Sequence, residues 1–166
     1  MVKRRKARKI IAWLLCFALL FIPMVTQASY YQTGPAIYVE GYRVYTDTPS
    51  ITVNDRTMVP LRAVTEALGC RVQWLPEVEG VDIYDIEGHL MISLYVGEYY
   101  SQLYYGYSYD TGYQFDYVYM DAAPMRYNGR VMVPLRFIAE NLGLEVNYDK
   151  YSHSVYIFPR IEGAVG

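Results

Sequence analysis

The sequence has few of the side chains from which metal and redox centres are built. Its 166 residues include 2 histidines, 2 cysteines and 2 tryptophans. A copper site built on imidazoles needs several converging histidines, whereas His89 and His153 are far apart and fall on different predicted strands. We therefore expect both histidines to be surface residues, and we predict no metal and no cofactor.

Common catalytic motifs are absent as well. The chain has no GxGxxG or GxxxxGK[ST] loop, no HExxH, no CxxC and no GxSxG. Oppositely charged pairs at i,i+4 spacing, Arg62 with Glu66 and Arg136 with Glu140, are explained as solvated helix pairs of about 0.3 kcal/mol each. We predict that the chain is not an enzyme and has no catalytic residues.

The first 28 residues have the composition of an export signal. A basic head of six Lys and Arg residues precedes an apolar run from Ile10 to Val25, and Thr26-Gln27-Ala28 provides small residues for cleavage. The run of 16 residues contains Pro23 and is short for a membrane span of about 20. We predict cleavage after Ala28 and a secreted protein, either free or wall-associated, with no membrane contact afterwards; an uncleaved anchor is the alternative.

Positive charge is scarce beyond the leader. Six of the 15 Lys and Arg residues lie in the first nine positions, which leaves 9 basic against 17 acidic residues, a net charge of −8. A chain of this charge repels nucleic-acid phosphates, so we predict no nucleic-acid partner. Cys70 is the one cysteine after position 28, and we predict that it is buried and inert, as small apolar thiols are.

Two similar segments 74 positions apart organise the remaining sequence. Each begins with a proline, Pro60 or Pro134, which suits the first position of a helix. Apolar residues follow at i, i+3 and i+7, and Gly69 or Gly143 suits a left-handed C-terminal cap. The spacing predicts two short helices with these core residues: Leu61, Val64, Leu68, Leu135, Ile138 and Leu142.

The similarity extends beyond the helices. Before each helix lies a hairpin turn, Asn54-Asp55 or Asn128-Gly129, and after each lie two alternating segments of strand character. Trp74 and Tyr148 occupy equivalent positions and are predicted core aromatics. We predict an α+β domain over residues 29–166, an antiparallel β-sheet with two short packed helices from a tandem internal repeat of copies at about 36–85 and 98–158.

The string from Asn128 to Glu140, followed by Leu142-Gly143, resembles the copper amine oxidase N-terminal domain, or stalk domain. Asp121-Ala122-Ala123-Pro124 before it and the aromatic residue after each helix also resemble that family, over roughly residues 36–158. The resemblance implies an exported protein of Gram-positive-type bacteria and an antiparallel sheet around a helix. It does not imply amine oxidation, since copper and quinone belong to a different, larger domain of the full enzymes.

A tyrosine-rich segment departs from that pattern. Nine tyrosines lie between positions 99 and 119, and we predict an elongated β-hairpin there. Strand side chains alternate faces and only one face meets the core, so some rings project outward. An aromatic surface favours contact with a partner, and the candidate recognition residues are Tyr105, Tyr107, Tyr109 and Tyr113.

Two classes of function are consistent with these features. The first is a non-catalytic exported module of the cell surface or wall, which binds wall polymer, a surface protein or a second copy of itself, or is only a spacer. The second is an exported enzyme or enzyme fragment of the amine oxidase type. Chain length and the count of two histidines favour the first class.

Overall fold

The computed structural model describes residues 32–160, which belong to one compact unit. This part of the chain contains fourteen strands, two α-helices and one turn of 3-10 helix at Pro76–Val78. In chain order the elements are β1 (Gln32–Thr33), β2 (Ala36–Val39), β3 (Tyr42–Arg43), β4 (Ile51–Val53), β5 (Arg56–Pro60), α1 (Leu61–Ala67), β6 (Arg71–Leu75), β7 (Gly80–Tyr84), β8 (Leu90–Tyr95), β9 (Tyr100–Ser108), β10 (Gly112–Tyr119), β11 (Met125–Tyr127), β12 (Arg130–Pro134), α2 (Leu135–Asn141), β13 (Leu144–Asp149) and β14 (Ser154–Pro159).

The strands form three sheets rather than the single sheet predicted. The first has the order β1-β4-β5-β12-β11, the second β10-β9-β8-β7-β6, and the third β13-β14-β2-β3. All pairs are antiparallel except β14 with β2. The prediction of one sheet was wrong because each short helix redirects the chain, so the hairpin that follows a helix, β6–β7 or β13–β14, joins β8 or β2 instead of extending the first sheet.

The two hairpins before the helices meet at the centre of the first sheet. Strands β5 and β12 pair antiparallel, with Val59 opposite Val133. The turns between their strands have positive φ, as predicted for Asn-Gly: Asn128 is at 48° and Gly129 at 73°. The first sheet therefore joins the two halves of the chain directly.

Both helices are seven residues long and begin one residue later than predicted. Pro60 and Pro134 end the preceding strands, because their ψ values of 111° and 117° are extended, not helical. Gly69 and Gly143 both have φ of +77°, the predicted left-handed cap. No described helix is long and apolar enough to cross a membrane.

The core lies between the helices and the three sheets. Val59, Val133 and Ile138 are fully buried in one large cluster, together with the inward faces of β7, β8 and β14. The predicted helix residues Leu61, Val64 and Leu135 are also buried, whereas Leu68 and Leu142 pack at the edge of the cluster. A smaller cluster on the opposite face of the first sheet contains the following three residues: Ile51, Met58 and Met132.

Candidate functional site

The tyrosine-rich segment is an elongated hairpin, as predicted. Strands β9 and β10 pair antiparallel from Tyr100 opposite Tyr119 to Ser108 opposite Gly112. The turn ends at Gly112, whose φ of +74° is a backbone conformation that residues with a Cβ atom rarely adopt. The register shifts where Gln114 faces Gly106 and Phe115 faces Tyr104, so β9 carries one extra residue, Tyr105, as a β-bulge.

Strand alternation sorts the side chains of the hairpin onto two faces. Ser101 on β9 is buried, and Leu103 and Val118 pack against the core. The residues at alternate positions point away from it, and the ring-bearing ones form a surface that we call the aromatic face. We define it by the six rings that contact one another: Tyr100, Tyr104, Tyr107, Tyr113, Phe115 and Tyr117. Tyr119 lies on the same side, opposite Tyr100.

The rings of the aromatic face touch in a continuous row. Tyr107 contacts Tyr113 at 5.1 Å between ring centroids, Tyr113 contacts Tyr104 at 5.5 Å, and Tyr104 contacts Phe115 at 5.4 Å. The row continues from Phe115 to Tyr117 and on to Tyr100. Interplanar angles between 53° and 87° place ring edges against ring faces, the arrangement that aromatic quadrupoles favour.

Four of these six rings are exposed although they contact one another, and Tyr104 and Phe115 are half-buried. Eight of the nine tyrosines between positions 99 and 119 are exposed, and Tyr104 is half-buried at the middle of the row. Tyr109 at the hairpin tip is 98% exposed and also contacts Tyr107 at 5.9 Å. The prediction that part of the aromatic surface projects outward is confirmed, and five of the eight exposed tyrosines contact another ring.

Polar groups border the aromatic face on the neighbouring strands. The Tyr104 hydroxyl donates to Gln102 Oε1 at 2.8 Å and lies 3.2 Å from Ser93 Oγ, which donates to Asp82 at 2.5 Å. Burial raises the pKa of Tyr104, and likewise that of Tyr95. Both hydroxyls are therefore neutral hydrogen-bond donors at physiological pH, beside an amide and a carboxylate.

The structure brings together three of the four predicted recognition residues. Tyr107, Tyr109 and Tyr113 are in ring contact, whereas Tyr105 is the bulged residue and makes none within residues 32–160. Sequence reasoning missed four members of the same surface: Tyr100, Tyr104, Phe115 and Tyr117. The alternate spacing of positions 113, 115 and 117 could have predicted that these three rings share one face of β10. The rings that β9 adds to that face could not be predicted in the same way, because the bulge at Tyr105 interrupts the alternation.

Two clefts flank the first sheet and are lined by both halves of the chain. One, of about 520 Å³, contains Leu61, Arg62 and Trp74, and the other, of about 460 Å³, contains Leu135, Arg136 and Tyr148. Across the mouth of each cleft an arginine pairs with an aspartate of the other half, Arg130 with Asp47 and Arg56 with Asp121. These pairs hold the two hairpins to the opposite halves.

The aromatic residues of the two clefts differ. Trp74 is half-buried beneath the Arg126 guanidinium, 4.7 Å from its ring centre, and Arg126 binds Glu79 at 3.1 Å. Tyr148 is 48% exposed, so the prediction of a core aromatic at this position was wrong. Its hydroxyl instead reaches His153 Nδ1 at 3.0 Å, because the turn before β14 places that imidazole beside it.

Histidines have separate partners in the described part of the chain. His89 Nδ1 lies 2.9 Å from Asp85 and 3.4 Å from Glu87, and all three side chains lie close enough to share a cation. Asp85 also accepts hydrogen bonds from the backbone of Glu87 and His89, so the turn itself accounts for this arrangement. His153 contacts Tyr148 instead, so the neighbours of the two imidazoles differ.

Cys70 is half-buried rather than fully buried. It packs against the edge of the core after Gly69, and its backbone N–H donates to Thr65 at 2.8 Å to complete the helix cap. Burial, with a smaller effect from Asp85, raises the pKa of its thiol. A thiol held in the protonated form is a poor nucleophile, which agrees with the expectation of an unreactive residue.

Together these features define an α+β domain whose most distinctive feature is an exposed aromatic surface. The chain belongs to the copper amine oxidase N-terminal domain family, whose model matches residues 38–157. In this family the N-terminal domain alone is not catalytic. No curated protein sequence matches the chain, and no solved structure does.

Proposed function

We propose that this chain is an exported, non-catalytic module of the cell surface, and that its aromatic face binds a neutral glycan of the cell wall. The observation that carries the proposal is the row of six contacting rings from Tyr107 to Tyr100, four of them exposed, on a hairpin whose base packs its other face against the core. An ordered aromatic surface of this kind costs little conformational entropy on binding.

The chemistry around the rings favours a neutral, hydroxyl-rich partner. Tyr104, Gln102 and Asp82 offer donors and acceptors beside apolar ring surface, which suits a sugar with one apolar face and a rim of hydroxyls. The net charge of −8 after position 28 repels anionic polymers. Peptides are the alternative class of ligand for an exposed aromatic surface, and the competition experiment separates the two.

Export is the part of the proposal that rests on sequence alone. The predicted leader, residues 1–28, lies outside the described residues. Its support is the basic head, the short apolar run and the small residues before Ser29. The family resemblance adds to it, because members of this family are typically exported.

A tandem origin of the two halves is part of the same proposal. Each half has a hairpin, a seven-residue helix and a second hairpin, and the lining residues of the two clefts lie 74 positions apart. The aromatic hairpin has no counterpart of similar length elsewhere in residues 32–160. One half of the duplicated unit therefore packs without such a hairpin. Because packing does not require the aromatic hairpin, its presence in the other half favours a role in recognition.

Binding to isolated cell-wall material tests the proposal directly. We expect the wild-type chain to sediment with walls, and the triple variant Tyr107→Ser, Tyr109→Ser, Tyr113→Ser to lose binding by about tenfold or more, as loss of aromatic anchors does. Soluble neutral oligosaccharides should compete with the wall, whereas a peptide library and an anionic wall polymer should not.

The chain offers a matched control. Tyr42, Tyr45 and Tyr151 are 81%, 79% and 91% exposed and lie outside the second sheet, on β3, in the segment after it and in the turn before β14, so their triple change to Ser removes the same number of exposed rings elsewhere. We expect this control, and Tyr105→Ser alone, to bind like wild type. Retained binding by the Tyr107, Tyr109, Tyr113 variant with an unchanged circular dichroism spectrum would move the site away from the aromatic face.

A further inference from the structure

Strand β10 is an unprotected sheet edge. It lies at one end of the second sheet and pairs only with β9 among the described residues. At eight residues it is longer than every other edge strand of the described chain: β6 has five residues, β13 six, β11 three, and β1 and β3 two each. It contains no lysine and no proline, the residues with which sheet edges are usually protected against pairing.

The hydrogen-bonding groups of this edge can be assigned from the ladder. The backbone N–H of Met120 donates to the carbonyl of Tyr99 at 2.7 Å. Along a strand of an antiparallel pair, the backbone N–H and C=O groups of successive residues point alternately towards the partner strand and away from it. Val118, Asp116 and Gln114 therefore bond to β9. The backbone N–H and C=O groups that face the open edge belong to Tyr113, Phe115, Tyr117 and Tyr119.

We propose that two copies of this chain pair antiparallel through their β10 edges, with Phe115 on the two-fold axis. In this register Phe115 faces Phe115 of the second copy, and Tyr113 faces its Tyr117. The register gives three facing pairs: 113 with 117, 115 with 115, and 117 with 113. All three use backbone groups that point towards the open edge, and together they give about six new backbone hydrogen bonds. The two second sheets become one continuous ten-stranded sheet.

Side-chain chemistry selects this register over its neighbours. Opposed residues share a face, so aromatic rings meet aromatic rings on one side, a favourable cross-strand combination. On the other side Gln114 faces Asp116 of the second copy, where an amide donates to a carboxylate. A shift of the axis to Asp116 would place the two Asp116 carboxylates directly opposite each other, which is destabilising.

The proposed dimer joins the two aromatic faces edge to edge on one surface. It depends on the open edge and not on any ligand, so it stands independently of the proposed glycan binding. Two joined faces would also bind a repeating polymer with higher avidity than one.

Substitutions at Gln114 test the register, because this exposed side chain is on the opposite side of the sheet from the aromatic face. In the full chain, Gln114→Lys should tighten the dimer by about threefold to tenfold, since each lysine faces Asp116 of the other copy. Gln114→Glu should weaken it by a similar factor. The measurement is the dimer dissociation constant from sedimentation equilibrium.

Two further variants keep the result unambiguous. Phe115→Lys places two like charges on the axis and should give a monomer, while Tyr42→Lys, at an exposed position of the short edge β3, should leave the dimer intact. Phe115→Cys in a chain with Cys16→Ser and Cys70→Ser should form a disulfide-linked dimer under oxidation. The proposal would be overturned if the wild-type chain stayed monomeric at about 1 mM. It would also be overturned if Gln114→Lys and Gln114→Glu changed the dimer dissociation constant by the same factor in the same direction.

Discussion

Arg56 and Arg130 show how single residues join the two halves of this chain. Each follows a tight hairpin turn and reaches across to an aspartate of the other half, Asp121 or Asp47. The hydrogen bond from Arg130 is the main cause that lowers the pKa of Asp47. The turns were predicted from Asn128-Gly129 and Asn54-Asp55, but the partners of the arginines were not, because they are 65 and 83 positions away.

A pH titration of His89 tests the arrangement at one turn. Its hydrogen bond to Asp85 raises the pKa of His89 above the ordinary value of about 6.5. A raised pKa means that the pair stabilises the fold fully below about pH 6.5 and that this stabilisation is lost as the pH rises through the folded-state pKa. We expect Asp85→Asn to bring the pKa of His89 down towards its ordinary value in an NMR titration.

The control for this titration is Asp149→Asn. Asp149 caps a different turn through Tyr151 and Ser152 and makes no described contact with His89. An unchanged His89 titration in the Asp85 variant would show that the hydrogen bond is absent in solution.

The two helices are the elements that the sequence predicted best. Apolar residues at i, i+3 and i+7 marked the buried side, and glycine marked each C-terminal cap. Phe137, Thr65 and Ala139 are buried as well, although the spacing did not select them. They are buried because each helix is covered on more than one side by the sheets, so that packing, and not periodicity, decides the width of the buried surface.

Truncation of the first helical residue tests the contribution of each helix to stability. Leu61 and Leu135 are each 2% exposed in the same core cluster. We expect Leu61→Ala and Leu135→Ala each to lower the free energy of unfolding by about 2–5 kcal/mol, the cost of a buried cavity. Chemical denaturation followed by circular dichroism provides the measurement.

The neighbouring arginines serve as controls on the same helical turns. Arg62 pairs with Glu66 at 3.9 Å, and Arg136 pairs with Glu140 at 3.7 Å. At least half of each of these four side chains is exposed. Their change to Ala should cost less than about 0.5 kcal/mol. Equal losses for the leucine and arginine variants would contradict the assignment of the core.

At the scale of the whole molecule, the chain is three sheets joined through two helices and the central β5–β12 pair. The hairpins β4–β5 and β11–β12 before the helices were predicted from their turn residues. The parallel pairing of β14 with β2 was not, because it joins residues more than a hundred positions apart and leaves no local pattern.

Export is the property of the whole chain that remains a prediction. If the leader is cleaved after Ala28, the mature protein begins at Ser29. Mass spectrometry of the protein from culture fluid or wall extracts should give that N-terminus. Recovery of the chain only from membranes, with Met1 still present, would instead support the uncleaved anchor.

Sequence by itself determined the family, the helices with their caps, the tight turns and the presence of an aromatic hairpin, because each depends on residues close together in the chain. Tertiary structure decided which rings of that hairpin form one surface, since the bulge at Tyr105 resets the faces of β9. It also decided that Tyr148 is exposed and that β10 is an open edge. Exposure and edge position depend on which distant strands pair, and local patterns of side chains do not specify that pairing.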